Sequence, residues 1–566
     1  MLKDYFAAAD RVTAFARRVR ESVEEADFTS RDDIVPGATV SGDLLRLPPH
    51  VLRGFGRERR AVFDLFARIA GTGLYLSEET RGRLSSLAAI IDDEFREDPD
   101  AADSFLTLLR AERATDSLRA LHSIGVLGAY LPPFGAVRGL VPYDVFHTYP
   151  ADEHTLLALE FFDRLRSGMG PEALVQEARA VAAPELLRLA ILLHDTGKVG
   201  GPGHQDRAAR MTPVVCLRLG LAERDTQYVV RLVREHEALS HAAHTRDVED
   251  PAVSRHLADK MGDPESLRAL FVLTYCDMRA VGPGVWTMWR AGLIEHLYGR
   301  AASYMVRGSL DESRRERFEE IAQTVAGLAP PEVVTPYLAT MRAHHPSWLT
   351  PKLAERHLRT LDQYAVTEKP LVGVYWDDDE TGTGEAVACA PDVPGFLAKA
   401  AGLFASERLN ILGAQAFGTD DGLALDTIQF LPRDPHFERS GLDRKLTEKL
   451  RRLLAGALDA EKLLEEGERR AVGTRVSPHI ATEIRIDNHA SGRHTVVEIW
   501  TADRTGLLYR IAKSLFDFGL SIALAKINTI SGRAIDAFYV VDSEGQKVTG
   551  KAASELRAAL RAALER

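Results

Sequence analysis

The chain has 566 residues, of which 45% are hydrophobic and 27% charged, an ordinary globular composition with room for several domains. A formal charge of −11 excludes a dominant basic surface, and with it nucleic acid or an anionic membrane as the main partner. Three widely spaced cysteines, a charged first segment and the lack of any apolar run near the roughly 20 residues of a membrane span argue against a Cys-based zinc site, a signal peptide and a membrane protein, and point to the cytoplasm.

Residues 1–139 read as mostly helix. The opening MLKDYFAAADRVTAFARRVRESVEE spaces its apolar positions by three and four. DDIVPGATVSGDLLRLPPH interrupts it as a short strand pair or an irregular linker, and helical patterning resumes at Arg59. Residues 140–310 are helical and rich in His and Asp, and 311–370 form a charged helical connector. Residues 371–475 and 476–566 alternate strand and helix and constitute an internal repeat. Asp392, Gly395, Leu397, Ile411 and Ala414 match Asp503, Gly506, Leu508, Ile522 and Ala525 at an offset of 111, and Gly422 and Asp426 match Gly532 and Asp536 at 110. Each copy reads as the ferredoxin-like order βαββαβ, with a long charged helix from about Ser440 to Arg470 closing the first. The expected fold class is multidomain: an all-α region followed by two α+β units.

The chemistry is expected in the helical middle. LLHDTGKVGGPGH ends an apolar helix with His194 and Asp195, which a core helix does not require and a metal site does. His154 in ADEHTLL and Asp277 in TYCDMRAVGP lie on other apolar helical stretches. Adjacent helical residues diverge by about 100°, so His194 and Asp195 share an ion only if other helices supply further ligands. Mixed imidazole and carboxylate ligation suits a divalent ion, Mn or Mg first, with Fe or Zn as alternatives. His204 and His236 could hold a second ion or a phosphate, and Lys198 could bring positive charge to that phosphate or pair with a neighbour. His147 and Asp152 are candidates for orienting the ligands. His241, His244, His256 and His296 are read as surface or core residues.

With these motifs the sequence resembles the HD phosphohydrolases, whose ligand order is His, His-Asp, Asp. YDVFHTYPADEHTL, LLHDTGKVGGPGH, VREHEALSHAAHTRDVEDP and CDMRAVGPGVWTMWRAGLIEHLY further resemble consecutive blocks of the PII uridylyltransferase/uridylyl-removing enzymes. DVPGFL and DRTGLLYRIA resemble that family's tandem ACT units. Pro150-Ala151, Val393 and Thr505 depart from the family's pattern, and no Gly-Ser with Asp-x-Asp precedes residue 140, so transferase activity is not expected of this chain.

The resemblance implies hydrolysis of the tyrosyl–UMP bond on uridylylated PII protein, favoured by glutamine. His154, His194, Asp195 and Asp277 would hold the ion; His204, His236 and Lys198 would serve the phosphoryl group. The ACT turns would sense glutamine through Asp392, Gly395, Asn410 and Gln415 in the first unit and Asp503, Gly506, Ser521 and Lys526 in the second. Gly395 and Gly506 let backbone approach a ligand at a helix N-terminus, while Asp392 and Asp503 could cap that helix or meet an ammonium. Two other readings are open: an HD hydrolase of another nucleotide, such as an alarmone, and a non-catalytic glutamine-responsive scaffold that binds PII.

Overall fold

A computed structural model of the chain describes residues 28–50, 60–141, 149–201, 203–246, 248, 250–282, 285–286, 288–307, 311–344, 349–376, 382–419, 421–434, 437–470, 482–488, 491, 493–504, 506–527, 529–530 and 533–565. Two compact units result. The first takes in the described residues up to Ala238 together with Lys260–Gly282; the second takes in Leu239–Asp259 and the described residues from Pro283 onward.

In the first unit four short strands, β1 (Thr29–Ser30), β2 (Thr39–Ser41), β3 (Leu44–Arg46) and β4 (Tyr75–Leu76), pair in that order, antiparallel except for β3 with β4. The main helices are α1 (Ala61–Ile69), α2 (Pro99–Arg110), α3 (Ala114–Ser123), α4 (Ala151–Arg166), α5 (Glu172–Ala180), α6 (Pro184–Leu193), α7 (His204–Arg218) and α8 (Glu223–Glu235). Next come α9 (Ala238–Thr245), which goes with the second unit, and α10 (Pro264–Val281), which returns to the first. Local chemistry sets the helix starts. Asp98 and Asp263 accept backbone N–H bonds as caps, each followed by a proline whose missing N–H costs nothing there. Every residue of α6 from Leu186 to Leu193 is buried, so this helix is central rather than amphipathic. That burial includes Arg188. Its guanidinium meets Asp163 of α4 at 2.7 Å and donates to the Leu109 carbonyl at 2.6 Å.

In the second unit α11 (Met288–Arg307), α12 (Asp311–Val325), α13 (Pro331–His344) and α14 (Pro351–Thr367) precede a four-stranded and a five-stranded antiparallel sheet. The first copy runs β5 (Leu371–Trp376), β6 (Gly384–Pro391), α15 (Phe396–Ser406), β7 (Leu409–Gln415), β8 (Leu423–Pro432) and α16 (Leu442–Leu454), followed by α17 (Ala460–Arg470). The second runs β9 (Glu483–Asp487), β10 (Thr495–Ala502), α18 (Leu507–Asp517), β11 (Ser521–Lys526), β12 (Thr529–Ile530), β13 (Arg533–Val541) and α19 (Gly550–Leu564). Their strand orders, β5-β6-β8-β7 and β9-β10-β13-β11, correspond.

The expected fold class holds, and two details of it change. Each copy is ββαββα: the edge strand comes before the repeat motif rather than after it, because a free sheet edge accepts a strand from either end of the chain. The charged stretch from Ser440 to Arg470 is two helices, α16 and α17, broken where Gly456 takes a φ of 72°, a conformation that ends helices and favours glycine. Apolar faces of α15, α16, α18 and α19 meet the sheets in one core that includes Phe404, Phe430, Leu446, Ile511, Phe538 and Leu560.

Candidate metal centre

Three helices of the first unit bring the expected ligands together. His154 sits in the first turn of α4, His194 ends α6 with Asp195 beside it, and Asp277 lies near the end of α10. His154 Nε2 is 2.9 Å from Asp277 Oδ1 and 3.7 Å from Asp195 Oδ2; His194 Nε2 is 3.3 Å from Asp195 Oδ2 and 3.7 Å from Asp277 Oδ1. These separations match the roughly 3 Å between neighbouring ligand atoms on one ion with bonds of about 2.1 Å. The Ile191 carbonyl lies 2.7 Å from His194 Nδ1 and can only accept, so Nδ1 carries a proton and Nε2 is the nitrogen left to give up its own to an ion. Buried His194 Nε2 and Asp195 Oδ1 have no hydrogen-bond partner. Donors aimed inward without partners are what a cation would satisfy, so the set fits a divalent ion.

A second group adjoins the first. His204, at the start of α7, places Nε2 3.6 Å from Asp195 Oδ1 and 3.6 Å from Glu237 Oε1, while His236 Nε2 is 3.9 Å from Glu237 Oε1. Buried His204 Nε2 has no hydrogen-bond partner. His236 Nδ1 donates to the Val233 carbonyl at 2.8 Å, which again leaves Nε2 facing inward. Asp195 therefore turns one oxygen to each group. Lys198 Nζ stands 2.5 Å from Asp195 Oδ2, a cation already seated on the shared carboxylate. Gly197 makes the approach of α7 possible: a Cβ there would lie 2.0 Å from the His204 carbonyl oxygen.

Burial alone would favour neutral acids, but His194 and Lys198 hold Asp195, and His154 and His194 hold Asp277, well below the ordinary carboxylate range. Burial likewise opposes a charged His194, yet Asp195 and Asp277 outweigh it and raise this imidazole to about 10. For His204 burial wins, helped by His236 and Lys198, and its value falls. The pocket attracts positive charge and would exchange protons for metal.

All seven expected residues of the centre converge. Glu237 was not among them, because an acid next to a histidine in a charged helical run carries no sequence signal of its own. Asp152 does not orient the ligands as expected: it pairs with His122 at 3.1 Å and accepts the Gly139 N–H. His147 lies outside the described residues. His244 and His296 are buried, and His241 and His256 are exposed.

In each unit two of the four expected effector residues lie in the turn that starts a helix and two on the strand that follows that helix, β7 or β11. Asp392 is exposed and Asp503 half-buried, each beside a glycine with positive φ, Gly395 (73°) and Gly506 (77°), that starts a helix. Neither helix start has a side-chain cap, so the capping role expected for these aspartates is not what they perform. A Cβ on Gly506 would lie 2.1 Å from a Leu464 methyl, whereas one on Gly395 would make ordinary contact with the Phe516 ring at 3.6 Å. Asn410 is half-buried on β7 and Ser521 exposed on β11. Gln415 and Lys526 are buried on the sheet faces away from α15 and α16 and away from α18 and α19, respectively.

One residue near the first turn was not expected. Asp426 on β8 is 2% exposed; the Phe417 N–H donates to it at 3.4 Å, and its second oxygen has no partner. Burial, with Asp392 adding to it, pushes its carboxyl up to about 8. The folded state therefore holds an extra proton between the ordinary value of 3.8 and about 8, and stability falls as pH rises through that window. Asp426→Asn is expected to stabilise the fold above pH 7 by on the order of 1–3 kcal/mol, so that the melting temperature there rises and its pH dependence flattens. Parallel melting curves of the two proteins from pH 5 to 9 would contradict this.

Comparison with known proteins gives three family matches. Residues 50–130 match the model described as the third domain of the uridylyltransferase GlnD, 151–276 match the HD domain, and 483–566 match an ACR9-like, ACT-like domain. Similar proteins include three named bifunctional uridylyltransferase/uridylyl-removing enzymes. That of Azospirillum brasilense is 32% identical, over 91% of this chain and 56% of its own. That of Gluconobacter oxydans is 34% identical over 80% and 49%, and that of Caulobacter vibrioides 35% over 84% and 52%. The chain thus spans about half the length of the curated relatives it matches.

Proposed function

We propose that the chain belongs to the family of bifunctional uridylyltransferase/uridylyl-removing enzymes and that its helical metal centre is the uridylyl-removing hydrolase. The substrate is the tyrosyl–UMP diester of uridylylated PII protein, glutamine favours the reaction, and the setting is the cytoplasm. The observation that carries this reading is the convergence of His154, His194, Asp195 and Asp277, with buried His194 Nε2 and Asp195 Oδ1 lacking a hydrogen-bond partner. Among the described residues no helix is long and apolar enough to cross a membrane.

These four side chains would hold a divalent ion, Mn or Mg first. His204, His236 and Glu237, opposite the second oxygen of Asp195, would hold a second ion or meet the phosphoryl group directly. A bound divalent ion would acidify water and neutralise phosphoryl charge. In the hydrolysis, water oxygen joins phosphorus, the bond from phosphorus to the tyrosyl oxygen breaks, and UMP and the tyrosine hydroxyl result. The leaving phenol has a pKa near 10, so a strong general acid is not obligatory. Lys198, seated on Asp195, would turn its ammonium to a phosphoryl oxygen once a metal takes over that carboxylate.

For the effector, the Asp392–Gly395 turn is the better of the two sites, since Leu464 fills the space above Gly506. An uncapped helix start offers N–H groups to a carboxylate. Release of UMP from uridylylated PII with Mn²⁺, with and without glutamine, tests the whole reading. Release that glutamine enhances is expected. A folded, metal-loaded chain that releases none would point to another phosphoester.

A further inference from the structure

Lys526 occupies the place in the second ACT unit that Gln415 occupies in the first, 111 residues earlier. It pairs in register with Ala537, which clusters with Tyr539 and Val496 on the sheet face away from α18 and α19. The side chain is 2% exposed, and its ammonium meets the Arg246 carbonyl at 2.6 Å and the Ala243 carbonyl at 3.4 Å. These are carbonyls from the end of α9. A buried ammonium is costly unless paired, and the open carbonyls and negative dipole end of a helix C-terminus are a natural partner. The Tyr539 ring lies 5.6 Å from the same ammonium. A second tie joins the same elements, Arg246 Nη1 to Asp487 Oδ2 of β9 at 3.2 Å. Gln415 makes no such tie: neither of its amide atoms has a hydrogen-bond partner.

The chain passes from α8 to α9 through two residues only, His236 and Glu237. We propose that Lys526 is a positioning residue that fastens the second ACT unit to α9, so that the state of this unit sets the placement of His236 and Glu237. The inference rests on reading those two side chains as part of the metal centre. It gives the two ACT units different tasks, one of which is to hold the helix that leaves the site. Coupling of this kind is reciprocal, so an ion in the centre must also be felt at Lys526.

Amide exchange followed by mass spectrometry on the whole 566-residue chain, with and without Mn²⁺, tests it. Mn²⁺ is expected to slow exchange in segment 186–200 and, through the latch, in 239–246 and 521–527, the latter by about fivefold, at the low end of ordinary coupling. In Lys526→Met the slowing at 186–200 persists and that at 521–527 disappears; Lys526→Arg restores it. Should Lys526→Met fail to fold, Asp487→Asn removes only the partly exposed second tie and must reduce the transmitted slowing by about half. Slowing at 186–200 that never reaches 521–527 in the parent chain, or that reaches it undiminished in Lys526→Met or Asp487→Asn, overturns the proposal. Absence of any Mn²⁺ effect at 186–200 brings down the metal reading itself, and the latch with it.

Discussion

Asp195→Ala is expected to abolish metal-dependent hydrolysis, with a loss of at least about a thousandfold, and to do so as completely as the double change with His194→Ala. Residues that act on one centre are strongly non-additive, and removing one indispensable member already removes the function of the set. Asp195 is the member with the most at stake. Its Oδ2 faces His154 and His194, its Oδ1 faces His204, and Lys198 is seated on it. Without this carboxylate three imidazoles share a site from which a negative charge has gone. Bound Mn per chain should therefore fall to below about a tenth of its original value. His204→Ala separates the two groups, because it spares the four atoms around His154 and Asp277. It should retain one tightly bound ion while slowing hydrolysis by roughly 10–100-fold. Metal analysis after exhaustive dialysis, paired with UMP release, reads both effects. Full metal content in Asp195→Ala would sink the assignment.

The largest effect on stability is expected at Asp163. This residue and Arg188 are almost fully buried, 6% and 1% exposed, and meet at 2.7 Å. Asp163 also accepts the Thr115 N–H at the start of α3 at 2.9 Å, so one carboxylate joins α3, α4 and α6. Asp163→Ala strands a guanidinium in the interior and should cost about 3–5 kcal/mol. Taking both charges away with Asp163→Leu and Arg188→Met should recover most of that, because an apolar pair of similar volume needs no counter-charge. Urea unfolding followed by far-ultraviolet circular dichroism measures the three proteins. A double variant as unstable as Asp163→Ala alone would show that the loss lies in packing and not in the uncompensated charge. The pair shares two helices with the metal centre: α4 carries both His154 and Asp163, and α6, which ends at His194, carries Arg188. Loosening it should weaken metal binding as well.

The sequence by itself determined the helical middle, the strand–helix repeat and the ligand types of the centre. Each of these is written locally: apolar spacing of three and four for helices, alternation for strands, an out-of-place His-Asp at the end of an apolar run, and a glycine after the first strand of each repeat. A local signal states what a segment becomes and which face it buries. It does not state what that face meets. His154 and Asp277 touch across 123 positions of sequence, a meeting that depends on how α4 and α10 pack. Glu237 belongs to the centre because α8 ends beside α7, which no spacing in the sequence shows. Asp426 and Gln415 read as ordinary strand residues, and only strand pairing decides that one lies under α15 and α16 and the other on the opposite face. For the same reason the edge strands β5 and β9 precede their repeats, where the sequence pattern alone predicts a strand after each of them. Lys526 was expected at an effector pocket, and tertiary structure put its ammonium on the end of α9, because the cheapest place for a buried cation is the nearest set of open carbonyls.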